Sequence, residues 1–472
     1  MLKFKNVYYC LYIFLYLLMI KFKKFYFEKF EFDKKTFIAS FFYSFDQKEF
    51  FEEKIDFSSN FFKLREKINY KIVENILFHI HIALWISYYK LYPTSDLIIK
   101  SGFLEKDDID FWKKFYRNWL WEFLYKNKIS SKKLFNFKNL EGEKYTKIDF
   151  SLKNKSLVPI WWWKDSIVTI ELLKDIWFDF DLFVFWKNDF LKENTQKISW
   201  KHTILVKRKI SENLFNFNKK GYYNWHVPIT WIIAFNMLLV SYLYNYKYLI
   251  LSNELSANYG NTLWDWFSIN HQYSKSLDFE KDFMIYIDRN ISSDIKYFSL
   301  LRWLYEFKIA QLFSKKAEKY FKHFSSCNRN FTIKKDPLVK DNLKEKKYWC
   351  NNCPKCAFVY SILSWFLEKE KLIGIFWEDL YEKKSLESIF RELLWITWIK
   401  PFECVWEKQE VILWMYKSIN KFKNKWYILD IFKNEVLVKF DDNYFDDLEK
   451  KLLKIYDDDI IPENFKNKIK FQ

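Results

Sequence analysis

The chain has 472 residues, room for two or three domains, because a single hydrophobic core stops growing at a few hundred residues. Half of it is hydrophobic and 29% is charged, the composition of a folded globular chain and not of a disordered one. The formal charge of +18 is scattered, with no lysine block or arginine-rich stripe, as an AT-rich gene would give, so no nucleic-acid partner is expected.

One count departs from the ordinary: there are 23 Trp and only 5 Gly. A folded α/β chain needs glycine wherever φ is positive or backbones approach closely. Tryptophan sits where glycine would be expected, in Asn118-Trp119-Leu120-Trp121, Phe185-Trp186-Lys187-Asn188 and Leu394-Trp395-Ile396-Thr397-Trp398. Pooled, the two types make up about 6% of the chain, close to the usual glycine share. The pattern implies a bacterial gene in which UGA means glycine, written out here with UGA as tryptophan. Trp112, in Phe111-Trp112-Lys113-Lys114, reads as a genuine tryptophan.

In chain order, Val7 to Ile20 is an apolar run of signal-core length, too short to span a bilayer comfortably. Lys3 and Lys5 precede it and no small-residue cleavage site follows. A start codon placed too early is expected, with Met19 standing just before the folded sequence, and a membrane anchor is the alternative. Residues 21–58 alternate with period two, which predicts a small antiparallel element. Residues 66–126 carry helical stripes through Ile76-Leu77-Phe78 and from Phe111 to Phe123. His79 and His81 lie there at i, i+2, on different helix faces, so core or surface roles are expected and not joint ligation.

Residues 150–360 alternate short apolar runs with helical stretches. Leu157 to Ile160, Leu182 to Phe185, Ile204 to Val206 and Tyr248 to Leu251 predict parallel strands with helices on both faces. Residues 361–472 read as mainly helical, then as a strand-like pair between Trp426 and Phe440, with an acidic end. The expected organisation is a leader at 1–20, an α+β domain at 21–150, an α/β domain at 151–360 and a helical C-terminal region at 361–472.

Two motifs carry chemistry. The first is Leu157-Val158-Pro159-Ile160-Trp161-Trp162-Trp163-Lys164-Asp165-Ser166. With glycine for tryptophan it becomes strand–GGGKDS–helix, which resembles the PP-loop of the ATP pyrophosphatase superfamily (adenine nucleotide alpha-hydrolase-like fold). There glycines let backbone N–H groups reach phosphate oxygens and the helix N-terminus adds a favourable dipole. Ser166 is expected to cap that helix and bond phosphate. The second is Cys350-Asn351-Asn352-Cys353-Pro354-Lys355-Cys356, preceded by Cys327. Four cysteines at such spacing can close a tetrahedral thiolate site. The arrangement resembles the four-cysteine zinc site of the cyano-deazaguanine synthases, so Zn2+ is expected, with Cys404 a weaker candidate than Cys327.

Further stretches resemble the family of UDP-N-acetylmuramoyl-L-alanyl-L-glutamate epimerases. They are Asn224-Trp225-His226-Val227-Pro228-Ile229-Thr230, Leu251 to Asn258, Ile269 to Ser276, Tyr297 to Arg302 and Lys400 to Val405. The likeness covers roughly residues 21 to 420, and the departures are almost all Trp for Gly. The resemblance implies a cytoplasmic isomerase of peptidoglycan biosynthesis that consumes ATP, needs Mg2+ and inverts the terminal L-glutamate of a UDP-linked muropeptide. It implies ATP phosphates on Trp161, Trp162, Trp163, Lys164, Asp165 and Ser166, with Asp165 or Glu254 holding Mg2+. Glu254, His226, His271 and Cys404 are the candidate catalytic groups, the last three for proton transfer, while Lys275 and Arg302 are candidates to pair with substrate phosphate or carboxylate. No membrane partner is expected, and the oligomeric state is left open. The competing readings are a PP-loop tRNA-modifying enzyme and a non-enzymatic zinc-binding scaffold.

Overall fold

The computed structural model describes residues 22–59, 64–131, 134–140, 142–185, 195–196, 198–258, 262–264, 267–270, 272–327, 329, 348–394, 396, 408–421, 426–457 and 460–471. The apolar leader therefore lies outside the described residues. The chain forms two compact units that alternate along the sequence, Met1–Asp149 with Val206–Leu243, and Phe150–Leu205 with Tyr244–Gln472.

The first unit begins with the expected meander, β1 (Lys24–Asp33), β2 (Ile38–Phe45) and β3 (Glu49–Asp56), paired antiparallel. Alternate residues Phe25, Phe27, Phe41, Tyr43, Phe51 and Ile55 are buried, so the period-two pattern directs one face inward. Helices α1 (Tyr70–Leu84) and α2 (Ile86–Tyr89) follow. The side chain of Asn69 accepts from the Lys71 amide at 3.0 Å and caps α1. Within the stretch expected to be helical lies a short strand, β4 (Asp96–Ile99), parallel to β1. Pro93 disfavours helix at Tyr92, and the apolar run beyond it finds a sheet edge instead. Helix α3 (Lys106–Lys126) and β5 (Asn136–Asn139), parallel to β4, complete this part. His79 and His81 are both buried, as core residues. Nδ1 of His81 lies 2.9 Å from Ser101 Oγ and Nε2 lies 3.1 Å from the Phe42 carbonyl, and burial lowers its pKa to about 3.

The second unit opens with β6 (Lys153–Pro159), α4 (Lys164–Asp175) and β7 (Phe180–Phe185). Strand β8 (Thr203–Lys209) returns the chain to the first unit, where Lys207, Arg208 and Lys209 pair antiparallel with β3. Helices α5 (Glu212–Lys219) and α6 (Ile229–Tyr244) come next. Helix α6 is apolar nearly all round and its residues are almost all buried, so it is a core helix. No helix among the described residues is long and apolar enough to cross a membrane.

The chain re-enters the second unit with β9 (Tyr246–Leu251), then a small hairpin of β10 (Thr262–Trp264) and β11 (Phe267–Ile269). Helix α7 (Leu277–Asn290) and β12 (Lys296–Ser299) follow. The strand order β12-β9-β6-β7 is parallel throughout, as continuous apolar strands demand. Helices α8 (Glu306–Lys316), α9 (Pro354–Phe366), α10 (Lys369–Phe376), α11 (Glu387–Leu393) and α12 (Lys408–Lys421) then pack on one shared core. Helices α13 (Tyr427–Glu435), α14 (Asp442–Leu453) and α15 (Glu463–Lys466) close the chain. The strand pair expected between Trp426 and Phe440 is thus corrected to helix α13 and a 3-10 turn over Leu437–Lys439. Ile428, Leu429 and Phe432 meet the core at helical spacing, which overrides the strand propensity of an Ile- and aromatic-rich run.

Among the described residues, four tryptophans adopt left-handed backbone: Trp162 (φ 59°), Trp177 (53°), Trp200 (58°) and Trp377 (50°). Bulky side chains rarely go there. Trp177 follows α4 and Trp377 ends α10, positions where helices usually carry glycine, and Gly221 (φ 89°) fills the same place after α5. Trp177 and Trp200 are 95% and 90% exposed, so packing does not hold them there.

Candidate active site

In the sheet order, β6 has β7 on one side and β9 on the other, which makes the carboxyl ends of β6 and β9 a topological switch point. The loop after β6 is the Trp161-Trp162-Trp163 segment and leads straight into α4, as the motif predicted. The expected Ser166 cap is corrected. Trp163 occupies the N-cap position with no side-chain cap bond, and the Ser166 hydroxyl donates to the Trp163 carbonyl at 2.9 Å. The hydroxyl sits one turn too far into the helix to cap it. Thr169 Oγ1 donates to Ser252 Oγ at 2.8 Å, tying α4 to the loop after β9.

Three carboxylates meet at these strand ends. Asp165 comes from the first turn of α4, Glu254 from the loop after β9, and Glu306 opens α8 beyond β12. Their ligand oxygens lie within 4.8 Å of one another, and all three residues are buried. Lys164, itself buried, bonds Asp165 and lies 2.5 Å from Glu306 Oε1. Burial opposes the Lys164 charge, but the two carboxylates outweigh it and raise its pKa. Burial raises Glu306 to about 7 against the pull of Lys164. Burial also raises Glu254, countered first by Lys275. Oε1 of Glu254 and Oε2 of Glu306 are buried and accept no hydrogen bond, so the cluster has unused oxygen capacity. Hard oxygen donors so disposed fit a divalent cation such as Mg2+.

Arg302 stands apart from solvent, with its side chain wholly buried. One terminal nitrogen donates to the Glu254 carbonyl at 2.8 Å and to Asn258 Oδ1 at 3.3 Å. The other donates to the Lys275 carbonyl and to Glu280 Oε1, each at 2.6 Å. Glu280 Oε1 also accepts from Asn253 at 3.2 Å and from the Ser299 hydroxyl. Arg302 therefore braces the loops that present Glu254 and Lys275.

The four cysteines also meet. Cys353 Sγ lies 3.4 Å and Cys350 Sγ 3.7 Å from Cys356 Sγ, and all four sulfurs, including that of Cys327, fall within 4.8 Å. Tetrahedral Zn–S bonds of about 2.3 Å put sulfurs roughly 3.8 Å apart, so the set fits Zn2+. Cys353 is the N-cap of α9, Pro354 starts the helix, and none of the four is in a disulfide. The segment is joined to the loop after β6, because Ser325 N–H donates to the Trp162 carbonyl at 2.9 Å and Ser325 Oγ receives the Cys327 amide at 3.2 Å.

Of the residues expected from sequence, Trp161 to Ser166, Glu254, Lys275 and Arg302 gather in the second unit. His226 belongs to the first, where it is exposed, with Nε2 4.0 Å from Glu122 Oε2 and its ring edge-on to Trp119. His271 and Cys404 lie outside the described residues. Glu306, Glu280 and Lys355 were not singled out from sequence. Glu306 stands in an apolar stretch and Glu280 in the charged run Asp278 to Asp282, neither within a motif, and the zinc spacing overshadowed Lys355.

A buried charged cluster at the carboxyl ends of parallel strands is the arrangement of an α/β enzyme. Two family models match the chain, the MurL N-terminal domain over residues 19–300 and the MurL C-terminal domain over residues 323–442. A protein of Xanthomonas oryzae pv. oryzae (strain MAFF 311018) is 30% identical over 378 residues, covering 80% of this chain and 82% of its own. One of Salinispora tropica is 29% identical over 335 residues, covering 71% of each chain, and one of Micromonospora sp. is 32% identical over 250 residues, covering 53% of this chain and 54% of its own. All three are named UDP-N-acetyl-alpha-D-muramoyl-L-alanyl-L-glutamate epimerase. The chain belongs to the MurL family.

Proposed function

We propose that this protein inverts the terminal L-glutamate of UDP-N-acetylmuramoyl-L-alanyl-L-glutamate, a peptidoglycan precursor, and drives the inversion with ATP. The observation that carries the ATP requirement is the lysine–carboxylate cluster set directly behind a strand–loop–helix segment of phosphate-binding type.

The chemistry calls for activation. The α-proton of a glutamate carboxylate is hard to remove, because the carbanion would sit beside a negative charge. Attack of the carboxylate oxygen on the α-phosphorus of ATP expels pyrophosphate and leaves an acyl-adenylate, in which the charge is masked. A base then takes the α-proton, and the enolate is reprotonated on the other face. Water cleaves the adenylate to AMP and the D-glutamyl product. Asp165, Glu254 and Glu306 would hold the Mg2+, which would neutralise phosphate charge. Lys164 bonds Asp165 and Glu306 and opposes the effect of burial on the Glu306 and Glu254 carboxyl groups. His226, His271 and Cys404 are the candidates for moving the proton. The four cysteines would hold one structural Zn2+.

The phosphate loop works only with glycine at 161–163, since three indoles would fill the space that phosphate oxygens need. The left-handed backbone of Trp162 supports glycine there, and that of Trp177, Trp200 and Trp377 supports the same reading elsewhere. The protein with glycine at 161–163, supplied with ATP and Mg2+, should release AMP and pyrophosphate only when the UDP-muropeptide is present. Release driven by tRNA and not by the muropeptide would overturn the proposal in favour of a tRNA-modifying enzyme.

A further inference from the structure

Lys90 is a buried cation without a counter-charge. It ends α2 in the first unit, is 5% exposed and forms no ion pair among the described residues. Its ammonium donates instead to the carbonyl of Trp225, in the loop between α5 and α6. Glu53, a buried carboxylate of the same unit, is taken by others: Arg208 Nε donates to it at 2.7 Å and the Tyr88 hydroxyl at 2.8 Å. Burial, helped by the like charge of Arg208, lowers the Lys90 pKa to about 7. An ammonium has three N–H donors, of which the Trp225 carbonyl takes one. The group therefore lacks both negative charge and acceptors.

The loop that meets Lys90 has room for a ligand once the indole is gone. The Trp225 indole N–H is buried and has no acceptor, so nothing polar fixes the ring in place. The Lys126 ammonium lies 5.0 Å from the ring centroid, and the His226 ring centroid lies 5.2 Å from it. Asn224 and His226, on either side, are exposed, so the loop is open to solvent. Glycine at 225 leaves the indole's space between Lys126 and His226, at the residue that Lys90 holds.

We propose that Lys90 and the loop at 224–226 form an oxyanion site on the first unit, which takes a phosphate or a carboxylate of the UDP-muropeptide, and that the Trp225 indole fills it. This rests on the substrate reading above, and deepens it by assigning a substrate-binding lysine outside the ATP loop. An oxyanion at Lys90 favours the protonated amine. Above its pKa the free amine is mostly neutral, so binding there takes up a proton.

The test uses the full chain with glycine at 161–163 and 225, titrated with UDP-N-acetylmuramoyl-L-alanyl-L-glutamate. Calorimetry at about pH 8, in buffers of different ionisation enthalpy, reads affinity and proton uptake together. ATP with Mg2+ is titrated in parallel as the control. The parent should take up protons on binding the muropeptide. Lys90→Met should weaken that binding at least tenfold and abolish the uptake, with ATP affinity at the parent's value. Lys90→Gln replaces the Met variant if that one does not fold. UDP and the UDP-free muramoyl dipeptide separate the two sources: the affinity lost in Lys90→Met is that of UDP if phosphate sits at Lys90, and that of the dipeptide if carboxylate does. Parent-like muropeptide affinity and proton uptake in Lys90→Met would overturn the site. A folded parent that binds ATP but not the muropeptide would overturn the substrate reading, and the site with it.

Discussion

Trp177 isolates the effect of a single backbone angle. Its side chain is 95% exposed and φ is 53°, so an L side chain meets its steric cost there with no packing in return. Trp177→Gly should therefore stabilise the chain by about 1–2 kcal/mol in urea unfolding, the usual cost of left-handed backbone. Trp112, wholly buried and stacked on Phe235 and Tyr116, should behave oppositely, with Trp112→Gly costing at least about 3–5 kcal/mol. A loss of stability in Trp177→Gly, or tryptophan masses at 177 in peptides of the native protein, would contradict glycine at that position. His81 makes a separate prediction. Its folded pKa of about 3 lies below the ordinary 6.5, so the unfolded chain binds a proton that the folded one refuses. Stability should fall as pH drops from 6.5 towards 3, by up to about 1.4 kcal/mol per pH unit. His81→Gln should flatten that part of the curve, and an unchanged slope would show that another group titrates there.

At the scale of elements, the loops after β9 and β12 depend on one buried ion pair. Arg302 and Glu280 are 2.6 Å apart with both side chains fully buried, and the same guanidinium holds the carbonyls of Glu254 and Lys275. Arg302→Met should cost about 3–5 kcal/mol, because it leaves Glu280 charged and unpaired in the interior. The double variant Arg302→Met, Glu280→Gln should recover part of that loss, and full additivity in the cycle would refute the pairing. Sequence alone made this pair hard to see. Arg302 sits in a motif stretch, where a charge suggests substrate contact, and only the burial after β12 shows it used as a brace. The strands were legible because their apolar runs are continuous and bounded. Helix α13 was not, since Trp-Tyr-Ile-Leu-Asp-Ile-Phe carries strand propensity, and its packing in the core decides for helix.

At the scale of the whole molecule, the site is assembled from segments distant in sequence. Lys164, Asp165, Glu254 and Glu306 meet because the parallel strands β6, β9 and β12 deliver their following segments to one end of the sheet. The motif at 161–166 and the cysteine spacing were readable because each is local. Glu306 and Lys355 were not, because their placement depends on the three-dimensional path of the chain. The cysteine cluster predicts one Zn2+ per chain by metal analysis, lost in Cys353→Ser along with much of the order of the 348–366 segment. Retained zinc in that variant would refute the four-cysteine assignment. The central claim is inversion through loss of the α-proton. The most direct measurement is to run the glycine-restored protein in ²H₂O with ATP, Mg2+ and UDP-N-acetylmuramoyl-L-alanyl-L-glutamate, then to hydrolyse the muropeptide product and analyse its glutamate by chiral mass spectrometry. The account predicts D-glutamate carrying one deuterium at the α-carbon, with AMP formed alongside. D-glutamate without deuterium, or recovery of unlabelled L-glutamate alone, would contradict it.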